Sequence, residues 1–271
     1  MKKEIKCSNC NAVLLHTVDL PDGLMICPQC QSNVFVPVNG LSEGMKMDPY
    51  SFVKKLGTGT MGEVWLTHHN KLMKHFVLKI LSKEVGKDSS NIKRLEREIR
   101  KTAELDHPAI ITPDDIGKRG HVYYIISAYV DGETLAAKLA RDGTIPEKEA
   151  LRIVRHVAEA LQYAWDNFSL AHGNIKPGNI ILTSVDEVKI INMCISTDFD
   201  QVKETACHKL DTPHYLSPEQ ALTQASPDSR SDIYSLGATL YHCLTGVTPH
   251  RAETTGGVLE KHIKNPLPAP D

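Results

Sequence analysis

The chain lacks any apolar run long enough to span a bilayer; its longest, around Tyr123 to Val130, falls far short of the roughly 20 residues a membrane helix needs. It lacks an apolar stretch behind Met1-Lys2-Lys3-Glu4-Ile5-Lys6-Cys7, which argues against an ordinary secretory signal. It also lacks a dominant charge: 31 Lys and Arg stand against 33 Asp and Glu. No overall field draws it to nucleic acid or anionic lipid, and a nucleic-acid role would need a local patch. Its seven cysteines, four in two tight pairs and three scattered (Cys194, Cys207, Cys243), do not make a secreted disulfide framework. Internal repeats and low-complexity tracts are missing too. What remains is 271 residues, 41% of them hydrophobic, enough for a large core and more than one folded unit. A cytoplasmic location is the default expectation.

The cysteine pairs are the first positive signal. Cys7-Ser8-Asn9-Cys10 and Cys27-Pro28-Gln29-Cys30, separated by sixteen residues, have the spacing of a four-thiolate metal site. Each pair can wrap one side of a tetrahedral ion, and the spacer can return as a hairpin. Val13 to Leu15 and Leu24 to Ile26 supply its strands, and Pro21-Asp22-Gly23 its turn. So small a unit needs the metal to supply its folding free energy. The spacing resembles that of zinc ribbons and implies structural zinc on Cys7, Cys10, Cys27 and Cys30; a rubredoxin-type iron site uses the same ligands. The division expected is a ribbon over residues 1–36, a polar linker over 37–47 and a second domain over 48–271.

The second domain carries ordered motifs. Gly57-Thr58-Gly59-Thr60-Met61-Gly62-Glu63-Val64 lies between two strand-like segments, and Phe76-Val77-Leu78-Lys79 follows. Asn91 to Leu105 reads as a helix, with Glu96 and Glu98 as its acidic candidates, and Tyr123 to Val130 reads as a buried strand. Pro146 to Trp165 reads as a long helix leading into His172-Gly173-Asn174-Ile175-Lys176-Pro177-Gly178-Asn179, and Asn192-Met193-Cys194 comes after it. Thr212-Pro213-His214-Tyr215-Leu216-Ser217-Pro218-Glu219 and Ser231-Asp232-Ile233-Tyr234-Ser235-Leu236-Gly237 close the series. In this order the segments resemble the protein-kinase family, closest to the bacterial serine/threonine type.

The resemblance implies an α+β, bilobal protein-kinase-like fold. A small β-rich N-lobe would cover about residues 48–130 and a helical C-lobe about 131–271, ending before the family's last helices. It implies that Gly57, Gly59, Gly62 and Val64 cover nucleotide phosphates, where glycine lets backbone amides approach. Lys79 would reach the phosphates with Glu98 as its partner, because the family frame selects Glu98 over Glu96. Ser127 would be the gatekeeper, and the backbone of Ala128 to Val130 would meet adenine. Asp232 would brace the catalytic loop.

Two aspartates of the family pattern are replaced. Asn174 stands at the base position and Asn192 at the metal-binding position, while Lys176 and Asn179 are kept. A missing acid-base group costs roughly 10²–10⁴ in rate. The Asn192 carbonyl oxygen could still ligate magnesium, although hard cations favour carboxylates. Gly173 replaces the arginine that anchors an activation-segment phosphate, which weakens Thr197, Thr205 and Thr212 as phosphosites. Thr102 and Pro113 stand where the family's internal spine is usually aliphatic. The expectation is a pseudokinase, a binding or allosteric module with residual ATP binding, magnesium held weakly or not at all, and a protein partner or substrate. The alternative is an active serine/threonine kinase using a displaced carboxylate, Asp198 or Asp200.

Overall fold

The computed structural model describes residues 3–7, 9–10, 12–16, 24–35, 41–59, 61–82, 85–86, 89–119, 122–193, 212–222 and 227–270. The chain divides into two compact units, Met1–Glu96 with Pro113–Tyr129, and Arg97–Thr112 with Val130–Asp271. The stretch from Arg97 to Thr112, which precedes residue 130 in the chain, belongs to the second unit.

The first unit begins with four short strands, β1 (Lys3–Lys6), β2 (Val13–His16), β3 (Leu24–Ile26) and β4 (Asn33–Phe35). The strands expected on either side of the spacer are present, but their pairing differs from a single spacer hairpin. β2 pairs with β1, Lys6 facing Val13, and β3 pairs with β4, Ile26 facing Asn33. Each cysteine pair thus lies in the turn of its own hairpin. Loop closure does not choose between the pairings, since the loops differ by about one residue; the observed one is tied by backbone bonds inside each cysteine loop, Cys7 N to Ala12 O and Cys27 N to Ser32 O. The Pro21-Asp22-Gly23 turn lies outside the described residues.

A six-stranded antiparallel sheet follows: β5 (Lys46–Met47), β6 (Tyr50–Gly59), β7 (Gly62–His69), β8 (Lys74–Leu81), β10 (Pro113–Arg119) and β11 (Val122–Ala128), in the order β10-β11-β8-β7-β6-β5. Residues at the end of the expected linker join this sheet, because Met45 and Met47 are buried with Phe52, Trp65 and Leu78. Strand β6 does not alternate throughout. Its register shifts between Phe52 and Lys54 and again between Lys55 and Gly57, which turns Val53 and Leu56 outward. Pro113 opens the edge strand β10, where a missing amide donor is tolerated.

The second unit is mainly helical. The division between units falls inside α1 (Ser89–Thr102). Thr102 is fully buried there, and its hydroxyl is satisfied by donating to the Ile99 carbonyl at 2.9 Å. A four-stranded sheet runs β12-β13-β14-β9, from β9 (Ile110–Ile111), β12 (Gly132–Thr134), β13 (Ile180–Thr183) and β14 (Val188–Ile191). Helix α2 (Leu135–Asp142) is capped by Thr134, whose side chain accepts from Ala137 N. Helix α3 (Glu147–Phe168) begins with Glu147 and Glu149, favourable at a helix N-terminus, and stops where Ser169 turns left-handed. It buries Ala150, Ile153, Val157, Ala160, Leu161 and Ala164, one face of a 3.6-residue period. That face packs with Ile175, Ile180, Ile190 and Met193, all 1% exposed or less, and each such burial is worth roughly 1.5–3 kcal/mol. The remaining helices are α4 (Pro218–Ala221), α5 (Ser229–Thr245) and α6 (Thr255–Lys264). Among the described residues no helix is long and apolar enough to cross a membrane.

Candidate functional site: a cysteine cluster and a catalytic-loop frame

The four paired cysteines come together. Their Sγ atoms all lie within 4.8 Å of one another, with Cys7 to Cys30 and Cys10 to Cys27 each at 3.6 Å. A tetrahedral ion with Zn–S bonds of about 2.3 Å would separate its sulfurs by about 3.8 Å, so the cluster could hold a metal ion. The two halves repeat one design: Cys7 N donates to Ala12 O, and Cys27 N to Ser32 O. Asn9 N donates to Cys7 Sγ. The Ser32 hydroxyl, 3.0 Å from Cys30 Sγ, leads the contacts that pull the Cys30 thiol down, while burial and the neighbouring thiols push Cys10 up, so the four sulfurs share their protons unevenly. Cys243, by contrast, is a core thiol pushed up to about 12 by burial.

In the first unit, sheet register lines up the residues expected to meet phosphate. Gly57 pairs with Val64, Val64 with Lys79, and Lys79 with Ile125. Directly paired residues share a face, so Val64 and Lys79 point the same way. Of the three loop glycines, Gly62 is the one the backbone demands. Its φ is +140°, and a Cβ there would lie 1.9 Å from the Ile80 carbonyl oxygen. A Cβ on Gly57 or Gly59 would meet no protein atom within 4 Å, so those positions are glycine for some other reason. Met61, which sequence reasoning did not single out, is buried, and its sulfur accepts from Lys79 Nζ at 3.4 Å. Ser127 faces Val77 and Ala128 faces Phe76 on the neighbouring strand β8.

The second unit holds the rest. Glu98 and Val130 belong to it. The loop after α3 is clamped from beneath by Asp232, in the first turn of α5. One carboxylate oxygen accepts His172 N at 2.7 Å and the other accepts Gly173 N at 2.8 Å. His172 is 1% exposed; its Nε2 bonds the Ile191 carbonyl at 3.0 Å, and its Nδ1 receives Asn174 N at 3.2 Å. An acceptor Nδ1 and a donor Nε2 require a neutral ring, in line with burial pushing its pKa down. Burial likewise pushes the Asp232 carboxyl up, opposed by the two amides it accepts.

The asparagines form a chain. Asn192 Nδ2 donates to Asn179 Oδ1 at 2.9 Å, and Asn179 Nδ2 donates to the Asn174 carbonyl at 2.7 Å. Asn179 is held by a single helical turn, Pro177–Asn179, and is 4% exposed. Asn192 follows β14 with φ +63°, a left-handed conformation in which asparagine is favoured. The Asn192 carboxamide therefore gives its nitrogen to Asn179. Lys176 lies in the same loop, just before the Pro177 turn.

Two further contacts brace this frame. Gln220 Nε2 donates to Gly173 O at 2.8 Å, while its Oε1 accepts Ser217 N and Ser217 Oγ. Ser217 and Gln220 form a capping box at the start of α4. Ser231 Oγ donates to the Glu219 carboxylate; no local pattern pointed to that pair. Cys194, Thr197, Asp198, Asp200, Thr205 and Cys207 lie outside the described residues.

Residues 50–268 match the protein kinase domain family. The chain is 35% identical over 229 residues to the serine/threonine-protein kinase PknB of Mycobacterium leprae, covering 82% of this chain and 36% of that protein. It is 33% identical over 221 residues to PrkC of Bacillus subtilis, covering 81% of this chain and 34% of PrkC. The chain thus spans about a third of the length of these relatives. Among solved structures it is similar to the PknI kinase domain of Mycobacterium tuberculosis, with TM-score 0.63, 31% identity, and coverage of 78% of this chain and 79% of that one.

Proposed function

The chain belongs to the protein kinase family, and on that premise we propose that it works as a zinc-ribbon pseudokinase, a binding or allosteric module for a protein partner that retains weak ATP binding. The kinase fold, with its β-rich N-lobe and helical C-lobe, is common to its relatives. The observation that carries the reading is the carboxamide chain. Asn174 and Asn192 occupy the two positions where the family's chemistry needs carboxylates, and the surrounding frame of His172, Asp232 and Asn179 is fully formed. An amide is a far weaker base than a carboxylate, so phosphoryl transfer loses its general base while the scaffold persists.

Gly57, Gly59, Gly62 and Val64 serve the nucleotide phosphates, and Lys79 supplies the ammonium with Glu98 as its carboxylate. Ser127, Ala128 and Val130 serve the adenine end, and Lys176 and Asn179 remain as polar contacts. The ribbon binds zinc through Cys7, Cys10, Cys27 and Cys30, supported by their sulfur separations. Four reduced thiols at ligand spacing support a reducing, cytoplasmic setting.

The test is thermal unfolding with ATP, paired with mass spectrometry after ATP incubation. ATP should raise the apparent stability of the wild type and do so less for Lys79→Ala, since a ligand of the folded state stabilises by mass action. The protein mass should stay unchanged. Phosphate transfer to itself or a generic substrate, abolished by Lys79→Ala, would overturn the pseudokinase reading. No shift at millimolar ATP would leave a scaffold without nucleotide.

A further inference from the structure

We infer that the Asn192 amide stands in for the divalent cation at this site, so that the catalytic-loop frame is closed to magnesium and the site selects a metal-free nucleotide. The selection of nucleotide rests on the functional reading above; the exclusion of the cation does not.

The argument starts from a group that cannot change its role. The main-chain carbonyl of Asn174 can only accept, so the nitrogen of the Asn179 carboxamide must face it, as it does at 2.7 Å. That fixes the other end of the same amide: Asn179 Oδ1 must face Asn192. Oδ1 also only accepts, so Asn192 must present Nδ2, as it does at 2.9 Å. Rotating either amide by half a turn would set oxygen against oxygen at hydrogen-bond distance. The orientation of both side chains is therefore dictated by one backbone carbonyl, and near-complete burial of Asn179 shuts out rearrangement.

Charge completes the argument. A carboxylate at position 192 would place an anionic oxygen against Asn179 Oδ1, an arrangement that is stable only with a cation between them. Asparagine puts a donor proton in that role and needs no cation. The residues present do not suit a hard divalent ion: both side chains that would ligate it are neutral amides, Asn192 turns its nitrogen to Asn179, and the Asn179 oxygen on that side accepts this N–H. The left-handed backbone of Asn192 suits aspartate as well as asparagine. Asn192→Asp thus exchanges an NH2 for an oxygen without new backbone strain.

The experiment is a Mn²⁺ titration of the full, zinc-loaded chain without nucleotide, read by the electron paramagnetic resonance signal of free Mn²⁺. Thiolates prefer zinc to manganese, which keeps the ribbon out of the readout. The wild type should show no saturable site at millimolar Mn²⁺. Asn192→Asp should gain one, roughly tenfold or more tighter than any wild-type binding, because added carboxylates tune cation affinity over decades. Saturable binding by the wild type that is lost in Asn192→Ala overturns the inference, as does a folded Asn192→Asp protein that binds no better than wild type. If Asn192→Asp does not fold, the wild-type and Asn192→Ala titrations decide. A parallel ATP melt separates the two claims. An ATP shift unchanged by MgCl2 supports the metal-free site, and one that requires MgCl2 overturns it. A missing ATP shift with a clean Mn²⁺ result sinks the nucleotide reading and leaves the cation exclusion standing.

Discussion

The carboxylate of Asp232 accepts the main-chain amide of His172 at 2.7 Å, and its second oxygen takes the next amide, that of Gly173, at 2.8 Å. Both oxygens are committed in a place where His172 is 1% exposed and Asp232 3%. Asp232→Ala leaves those amides without an acceptor, and each buried unsatisfied group costs about 1–3 kcal/mol. We expect a loss of roughly 2–5 kcal/mol, read from the urea midpoint. Asp232→Asn keeps one acceptor and should lose distinctly less. Equal losses would mean that the carboxylate does not act as a two-pronged clamp.

Metal content tests the ribbon. Cys7 and Cys27 are fully buried and each pairs closely with a half-buried cysteine from the other knuckle. Protein purified without chelator should hold about one zinc ion per chain, and Cys7→Ser or Cys27→Ser should lose most of it. A Cys7→Ser protein with full metal would remove Cys7 from the ligand set. A red protein with sulfur-to-iron absorption would make the metal iron instead.

Acid should weaken the second unit through its histidines. His262 accepts or donates a hydrogen bond with Tyr234 at 2.8 Å, and its ring sits edge-on to His250, 4.7 Å away between centroids. Burial, then His250 and His214, push its pKa down to about 4, against the pull of the Pro213 and His214 carbonyls. Burial also lowers His250, with Lys261 adding to it, and lowers His172. For a depressed folded-state pKa, the unfolded chain takes the proton first as pH falls. Stability from His262 is therefore complete above its unfolded value near 6.5, declines below it, and is lost by about pH 4. That is roughly 3 kcal/mol at the acid end. Urea midpoints between pH 7.5 and pH 5 should fall more steeply for wild type than for His262→Gln. Comparing the two cancels any acid loss of ribbon metal, and parallel slopes would exclude His262 as a source.

Legibility followed how far along the chain a feature's cause extends. The cysteine pairs, the glycine run before Lys79, and the loop from His172 to Asn179 could be read because their chemistry depends on fixed short spacings. The strands Val13–His16 and Leu24–Ile26 were visible, but not their partners, because Lys3–Lys6 is charged and carries no apolar alternation. The burial of Met45 and Met47 was hidden inside a polar, turn-rich run. The Ser231–Glu219 and Gln220–Gly173 bonds are tertiary and leave no periodic trace. The direction of the Asn192 amide is set by a carbonyl 18 residues back in the chain, at Asn174, acting through Asn179. Residue type alone gave two candidate oxygens there. Geometry turned one of them away.

The last expectation concerns the arginine that Gly173 replaces. Restoring it would ordinarily be the first step in reviving a phosphate-anchored activation segment, but the backbone opposes the change. Gly173 has φ +73°, and a Cβ added there would lie 3.0 Å from Pro227 Cγ. The residue cannot easily relax to negative φ, because its N–H is held by Asp232 and its carbonyl by Gln220. A left-handed conformation costs a residue with a Cβ about 1–2 kcal/mol. The squeeze against Pro227 adds to that. Gly173→Ala should therefore destabilise by roughly 1–3 kcal/mol, and Gly173→Arg by at least as much, with no gain in phosphate transfer. Adding Pro227→Ala separates the two causes. It should recover the steric share of the Gly173→Ala loss and leave the conformational share in place. Full recovery in the double variant would show that crowding alone keeps glycine at 173, and no recovery would assign the whole cost to the backbone angle.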